Sequence, residues 1–130
     1  MNGFEIKKSD PLKYVKKELD DQTCVYHTLW NTKLDKMVSS AMVTKYVDEV
    51  SGCTGALLWI IVTPEKYRKK GYAITLLVQM QECYDQIETQ LLNNKGKELC
   101  LKCGFEYITP NGNNLVWIKE DDNAGKNMEN

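Results

Sequence analysis

Arginine is nearly missing from this chain. Among its 130 residues there are 17 basic ones, and only Arg68 is an arginine; 18 acidic residues bring the formal net charge to −1. With no excess of either sign, the sequence has no global pull toward nucleic acid or an anionic membrane, so neither partner is expected. Long hydrophobic runs are missing too. The longest, residues 55–62, falls far short of the roughly 20 residues that cross a bilayer. The opening MNGFEIKKSD holds no apolar signal segment, and a soluble, cytoplasmic protein is expected. Histidine occurs once, as His27. No second C-x-x-C or H-x-x-x-H accompanies Cys100 and Cys103, so a four-ligand zinc site lacks ligands and no metal is expected. The 5 cysteines are odd in number and irregularly spaced, unlike a small secreted disulfide scaffold.

What is present describes one globular domain. Hydrophobic residues make up 42% and charged residues 27%, close to the globular average and away from disordered or low-complexity classes. The domain is expected over residues 1–120, with 121–130 a disordered tail because it lacks apolar periodicity. Asp10-Pro11 followed by Leu12, Val15 and Leu19 predicts a short amphipathic helix over about 10–20. Residues 23–30 and 36–47, rich in Val, Tyr, Thr, Met and Trp, predict a hairpin around Asn31-Thr32-Lys33. The apolar run 56–62 predicts a central strand, and 72–84 a helix carrying Ile74, Leu77, Val78 and Gln81 on a helical period. A short strand over 86–92 follows, then a helix over 94–103 stopped by Gly104, then a hairpin around Pro110-Asn111-Gly112-Asn113. The fold class is therefore α/β (α+β).

The segment VTPEKYRKKGYA, residues 62–73, runs strand, basic turn, glycine, helix. Such a turn points backbone N–H groups one way at a positive helix N-terminus, which makes an anion site. Gly71 allows close approach to the main chain, Ala73 keeps the first helical turn uncrowded, and Arg68, Lys69 and Lys70 add positive charge. A solvated basic turn is the alternative for this motif taken alone.

In context, RKKGYA resembles the R/Q-x-x-G-x-G/A pyrophosphate loop of the GNAT superfamily of acyl-CoA-dependent N-acyltransferases. NNKGKELCLKCGF, residues 93–105, resembles the second motif of that family, and the likeness spans about residues 23–119. The resemblance implies a mixed, mostly antiparallel sheet splayed between its fourth and fifth strands, flanked by about three helices, with acetyl-CoA as cofactor. It implies further that the backbone of Ile60, Ile61 and Val62 pairs with the pantetheine amides. The amides of Lys69, Lys70, Gly71, Tyr72 and Ala73 would hold the pyrophosphate, and Asn93 would contact the pantetheine arm. Thr75 either adds a hydroxyl contact or is an ordinary helix-surface residue.

Direct acyl transfer needs a deprotonated amine and a donor for the leaving thiolate. The family commonly uses a tyrosine as that donor, and Cys100 occupies the matching position here, either as a thiol acid or as a small buried helix residue. Glu88 is the nearest carboxylate to the expected gap, either as the base or as a solvated strand glutamate, with Gln90 on its face by strand alternation, and Tyr84 is a second candidate proton carrier. His27 reads as a packed strand imidazole, and Trp30, Trp59 and Trp117 as core or cleft lining. The expected activity is transfer of an acetyl or small acyl group to a primary amine on a small molecule or peptide, by a monomer or homodimer. The alternative is an acyl-CoA-binding regulatory module with little turnover.

Overall fold

Alternation of buried Val25, His27 and Leu29 with outward Tyr26, Thr28 and Trp30 gives the segment Cys24–Asn31 one core face and one open face. That strand is the second of seven in a computed structural model that describes residues 11–19, 23–90, 93–110 and 112–120. The elements are β1 (Leu12–Glu18), β2 (Cys24–Asn31), β3 (Lys36–Val47), β4 (Thr54–Val62), a 3₁₀ turn (Glu65–Tyr67), α1 (Tyr72–Gln81), β5 (Gln86–Gln90), α2 (Asn94–Lys102), β6 (Glu106–Tyr107) and β7 (Asn114–Ile118). The strands form one sheet in the order β1-β2-β3-β4-β5-β7-β6. Every pair is antiparallel except β4 with β5.

The helix expected over 10–20 is instead β1, so the described residues contain two α-helices rather than about three. Leu12, Val15 and Leu19 do fall on a helical period. But Leu12 and Tyr14 also alternate, and both pack against the core beside β2, from Leu12↔Asn31 to Glu18↔Val25. Seven paired residues outweigh the weak helical propensity of a short lysine-rich segment. The remaining expected elements form, with β5 described only to Gln90 and α1 ending at Gln81, three residues before Tyr84. The expected tail at 121–130 lies outside the described residues.

Two crossovers decide where the helices go. The units β4–α1–β5 and β5–α2–β6 step across the sheet in the same direction, so right-handed connections set both helices on one face. Gln81 Nε2 donates to Cys103 O at 2.8 Å, tying their ends together. That face holds the core, in which Leu76, Leu77 and Met80 of α1 pack with Val25, Leu29, Val43, Leu58 and Ile87 of the strands. On the opposite face Tyr46 lies across Gly55, where a Cβ would sit 2.3 Å from the ring.

One buried polar chain runs through the helix-covered face. His27 is fully buried, with Nε2 2.7 Å from Tyr84 Oη and Nδ1 bonded to Tyr14 Oη. Tyr14 Oη lies 3.4 Å from Cys83 Sγ, and that thiol points at Gln79 O. Each donor has an acceptor if Tyr84 donates to Nε2, Nδ1–H to Tyr14, Tyr14 to Cys83 and Cys83 to Gln79. The imidazole is therefore neutral. Burial, with Lys16 adding repulsion, lowers its pKa from 6.5 to about 4.

The folded state then refuses a proton that the unfolded chain takes up below about pH 6.5. Stability should hold above that pH and fall as pH drops toward 4, by roughly 3 kcal/mol in all. Thermal melts of wild type and His27→Gln between pH 7 and 4 check this. The variant should give the flatter profile, and parallel profiles would remove His27 as the cause.

Candidate functional site

β4 begins as a buried central strand and ends as an exposed one. Ala56 and Leu58 are buried, whereas Trp59 and Ile60 are 55% and 50% exposed. The change comes at a β-bulge. Val43 faces Leu58 and Met42 faces Ile60, which leaves Trp59 without a rung of its own in the β3–β4 register. A bulge bends its strand and increases the local twist. The ladder to β5 ends at the same place, its last rung being Leu58↔Thr89, with Thr89 Oγ1 donating to Leu58 O at 3.0 Å. Beyond this fork β4 continues to Val62 along a side that β5 no longer covers, which is the splay expected between the fourth and fifth strands.

The splay opens into a groove of about 1050 Å³. One wall is the free end of β4, through Trp59, Ile60, Ile61 and Val62. The other is α2, which presents Lys95, Glu98, Leu99 and Lys102, a stripe at i, i+3, i+4 and i+7. Arg68, Lys69, Ala73 and Ile74 close one end. Four cations and one carboxylate therefore line the groove, together with the neutral polar residues Thr63, Gln90, Asn93 and Asn94 and the apolar side chains of β4 and α1.

The closed end is built by the backbone. Lys69 and Gly71 both adopt left-handed conformations, with φ of 65° and 81°, the kind of backbone that gathers successive amides into an anion-binding concavity. Gly71 is the N-cap of α1 and supplies no side-chain acceptor. The amide donors of the first helical turn, unsatisfied within any helix, are thus left for a ligand. Arg68 Nε donates to Thr63 O at 2.9 Å, which pins the turn to the end of β4. α2 contrasts with α1, because Asn93 Oδ1 accepts from Gly96 N at 2.6 Å and caps it.

Of the residues singled out from sequence, Ile60, Ile61, Val62, Arg68, Lys69, Ala73 and Asn93 meet at this groove. Gly71 and Tyr72 line a smaller adjoining cavity of about 100 Å³, together with Leu99. Lys70 lines neither. Thr75 Oγ1 donates to Gly71 O at 3.0 Å, so the hydroxyl serves its own helix. Asn93 lines the groove, but its side-chain oxygen is engaged as the helix cap. The α2 stripe was not anticipated, although its i, i+3, i+4, i+7 spacing is legible once the helix is placed.

The three proton-transfer candidates are not brought together. Cys100 is fully buried in the core and does not line the groove; burial, with Cys103 adding repulsion, raises its pKa to about 12. Tyr84 is buried beneath β2 with its hydroxyl on His27, and burial raises its pKa too. Glu88 is half-buried on the helix-free face, paired with Leu57 one rung before the fork. Two residues on, Gln90 lines the groove. Among the described residues no group of three His, Cys, Asp or Glu could hold a metal ion, and no helix is long and apolar enough to cross a membrane.

No protein-family model and no curated protein sequence matches the chain. Its likeness to solved structures lies in the fold. A crystal structure described as a probable acetyltransferase is similar with a TM-score of 0.64 at 14% identity, covering 79% of this chain and 73% of that one. The KacTA–DNA complex is similar at 0.62 and 13%, covering 85% and 76%. AtaT complexed with acetyl-methionyl-tRNAfMet is similar at 0.59 and 11%, covering 85% and 78%, and AtaTR has also been crystallised with AcCoA. The expectation of no nucleic-acid partner is overturned by these neighbours, two of which are complexes with DNA or tRNA. A net charge is a sum over the whole surface and does not describe any one face of it.

Proposed function

We propose that this chain, which has the fold of the GNAT acetyltransferases, binds acetyl-CoA in the β4–α2 groove and transfers the acyl group to a primary amine. The observation that carries the reading is the fork itself. The free end of β4, the uncapped N-terminus of α1 and the cations Arg68 and Lys69 lie along one continuous groove. The fit is chemical at both ends. A pyrophosphate suits amide donors at a helix start flanked by cations, and an amide-bearing arm suits an unpaired strand edge lined by Ile60 and Val62. Lys95 and Lys102 add charge on the α2 wall for a ligand with further phosphate.

When bound, acetyl-CoA supplies an acyl carbon activated as a thioester, so that the N–C bond forms as the C–S bond breaks and the electron pair goes to sulfur. The chain's own part is to hold, orient and accept a proton. Glu88, which lies one rung from the fork but outside the groove lining, is the carboxylate proposed to take the proton of the acceptor amine. Cys100 is assigned to packing on account of its burial, which leaves solvent to protonate the thiolate.

Two measurements test the reading. Isothermal calorimetry should give a micromolar-range Kd for acetyl-CoA. The melting temperature should rise by several degrees at 100 times that Kd, as a ligand selective for the folded state requires, about 2.7 kcal/mol of stabilisation. No heat and no thermal shift would overturn it. Thiol release with a panel of polyamines, aminoglycosides, amino acids and lysine peptides then separates an enzyme from a binding module.

A further inference from the structure

The two helices lie on one face of the sheet, and among the described residues no helix lies on the other. That second face presents Tyr26, Trp30 and Trp59. Tyr26 is 39% and Trp59 55% exposed, and Trp59 Nε1 donates to Thr44 Oγ1 at 2.6 Å, which ties the indole to β3. Two exposed lysines of β1 stand directly beside aromatic rings across the strand pair, as Lys13↔Trp30 and Lys17↔Tyr26. The outward positions of β1, β2 and β3 on this face, from Lys13 to Tyr46, include no aspartate or glutamate. Glu88 lies on the same face on β5, joined through Gln86 Nε2 to Tyr46 Oη at the β3 end. The face also runs into the groove, because Trp59 and Ile60 belong to both.

Aromatic faces on a sheet with lysines beside them make a surface for unstacked bases and their phosphates, since each base can stack on a ring while each ammonium meets a phosphate. A rigid duplex cannot splay its bases onto such a platform. We propose that this face, from β1 to β4, binds single-stranded nucleic acid, and that the amine delivered to the groove is borne on that strand. The second half of this statement rests on the acyl-transfer reading of the groove; the first half does not. The nitrogen of the strand's amine bonds to the acyl carbon, the C–S bond breaks with its electron pair going to sulfur, and Glu88 takes the amine proton.

The test is fluorescence anisotropy on the full chain with labelled single strands of about 12 nucleotides, a length suited to such platforms, as RNA and as DNA, beside a duplex of the same length. Single strands should bind with micromolar-range Kd at low salt and the duplex at least about 10-fold more weakly. The RNA and DNA arms decide which strand is preferred. Tyr26→Ala should weaken binding by about 10-fold, the loss of one stacked base. Lys13→Glu with Lys17→Glu should lower the slope of log K against log salt by about 1.4. Both variants should keep the wild-type Kd for acetyl-CoA, since none of Tyr26, Lys13 and Lys17 lines the groove. The lysine pair, being at the surface, keeps the test open if Tyr26→Ala unfolds.

Absence of single-strand binding, equal binding of the duplex, or binding indifferent to both variants would each overturn the proposal. A wild type that binds no strand but sediments as a dimer, and becomes a monomer on Tyr26→Ala, would assign the face to a second copy instead. Loss of acetyl-CoA binding alone would count against the groove reading and leave the strand-binding result intact.

Discussion

Gly71→Glu is expected to lower acetyl-CoA affinity at least about 100-fold, whereas Gly71→Ala should lower it far less. Both variants put a Cβ on a residue whose φ is 81°, where L residues are strained by roughly 1–2 kcal/mol. Both should therefore melt a few degrees below wild type. Only glutamate brings a carboxylate to the start of α1, where its negative charge occupies the amide donors and repels the pyrophosphate. The carboxylate would itself favour the helix terminus, so the loss of binding cannot be put down to failure of α1 to form. Calorimetry on the three proteins, each checked by its melting curve, decides the matter. Gly71→Glu binding within about threefold of wild type would remove this turn from the site.

Glu88→Gln should reduce turnover by about 100-fold on whichever acceptor the thiol-release screen identifies, while the Kd for acetyl-CoA stays within about twofold. An amide keeps the shape of the carboxylate and part of its hydrogen bonding but cannot take a proton, and a positioned base contributes about 10² to 10⁴ in rate. A loss confined to kcat is the signature of an interaction made in the transition state. Cys100→Ala provides the contrast. The side chain is buried with Val43, Ile87 and the rest of the core, so its loss should cost about 1 kcal/mol of stability and leave kcat alone. If Cys100→Ala cuts turnover and Glu88→Gln does not, the two assignments are reversed.

The sequence by itself carried the order of elements from Cys24 to Ile118 and the turn that enters α1. Those signals are local. Alternation specifies β2 and β3, an apolar run marks β4, and a basic turn ending in Gly71 depends on which residue tolerates a left-handed φ. Gly104, with φ of 90° after α2, is another such position. By contrast β1 was unreadable, because Leu12, Val15 and Leu19 suit a helix and only the rung-by-rung pairing with β2 makes the segment a strand.

Tertiary structure also decided what each candidate side chain can do. Cys100, Glu88 and Tyr84 look equivalent as titratable residues in a string. Yet helix packing buries Cys100, a hydrogen bond to His27 engages Tyr84, and strand register sets Glu88 beside the fork. The bulge at Trp59, where β4 parts from β5, is a mismatch between two strands and has no local signature. The bare face of the sheet is equally non-local. It follows from the handedness of two crossovers, which put α1 and α2 on the same side and leave Tyr26, Trp30 and Trp59 on the other. Periodicity can state that a residue has a face, but which face meets a helix is settled only when the chain closes on itself.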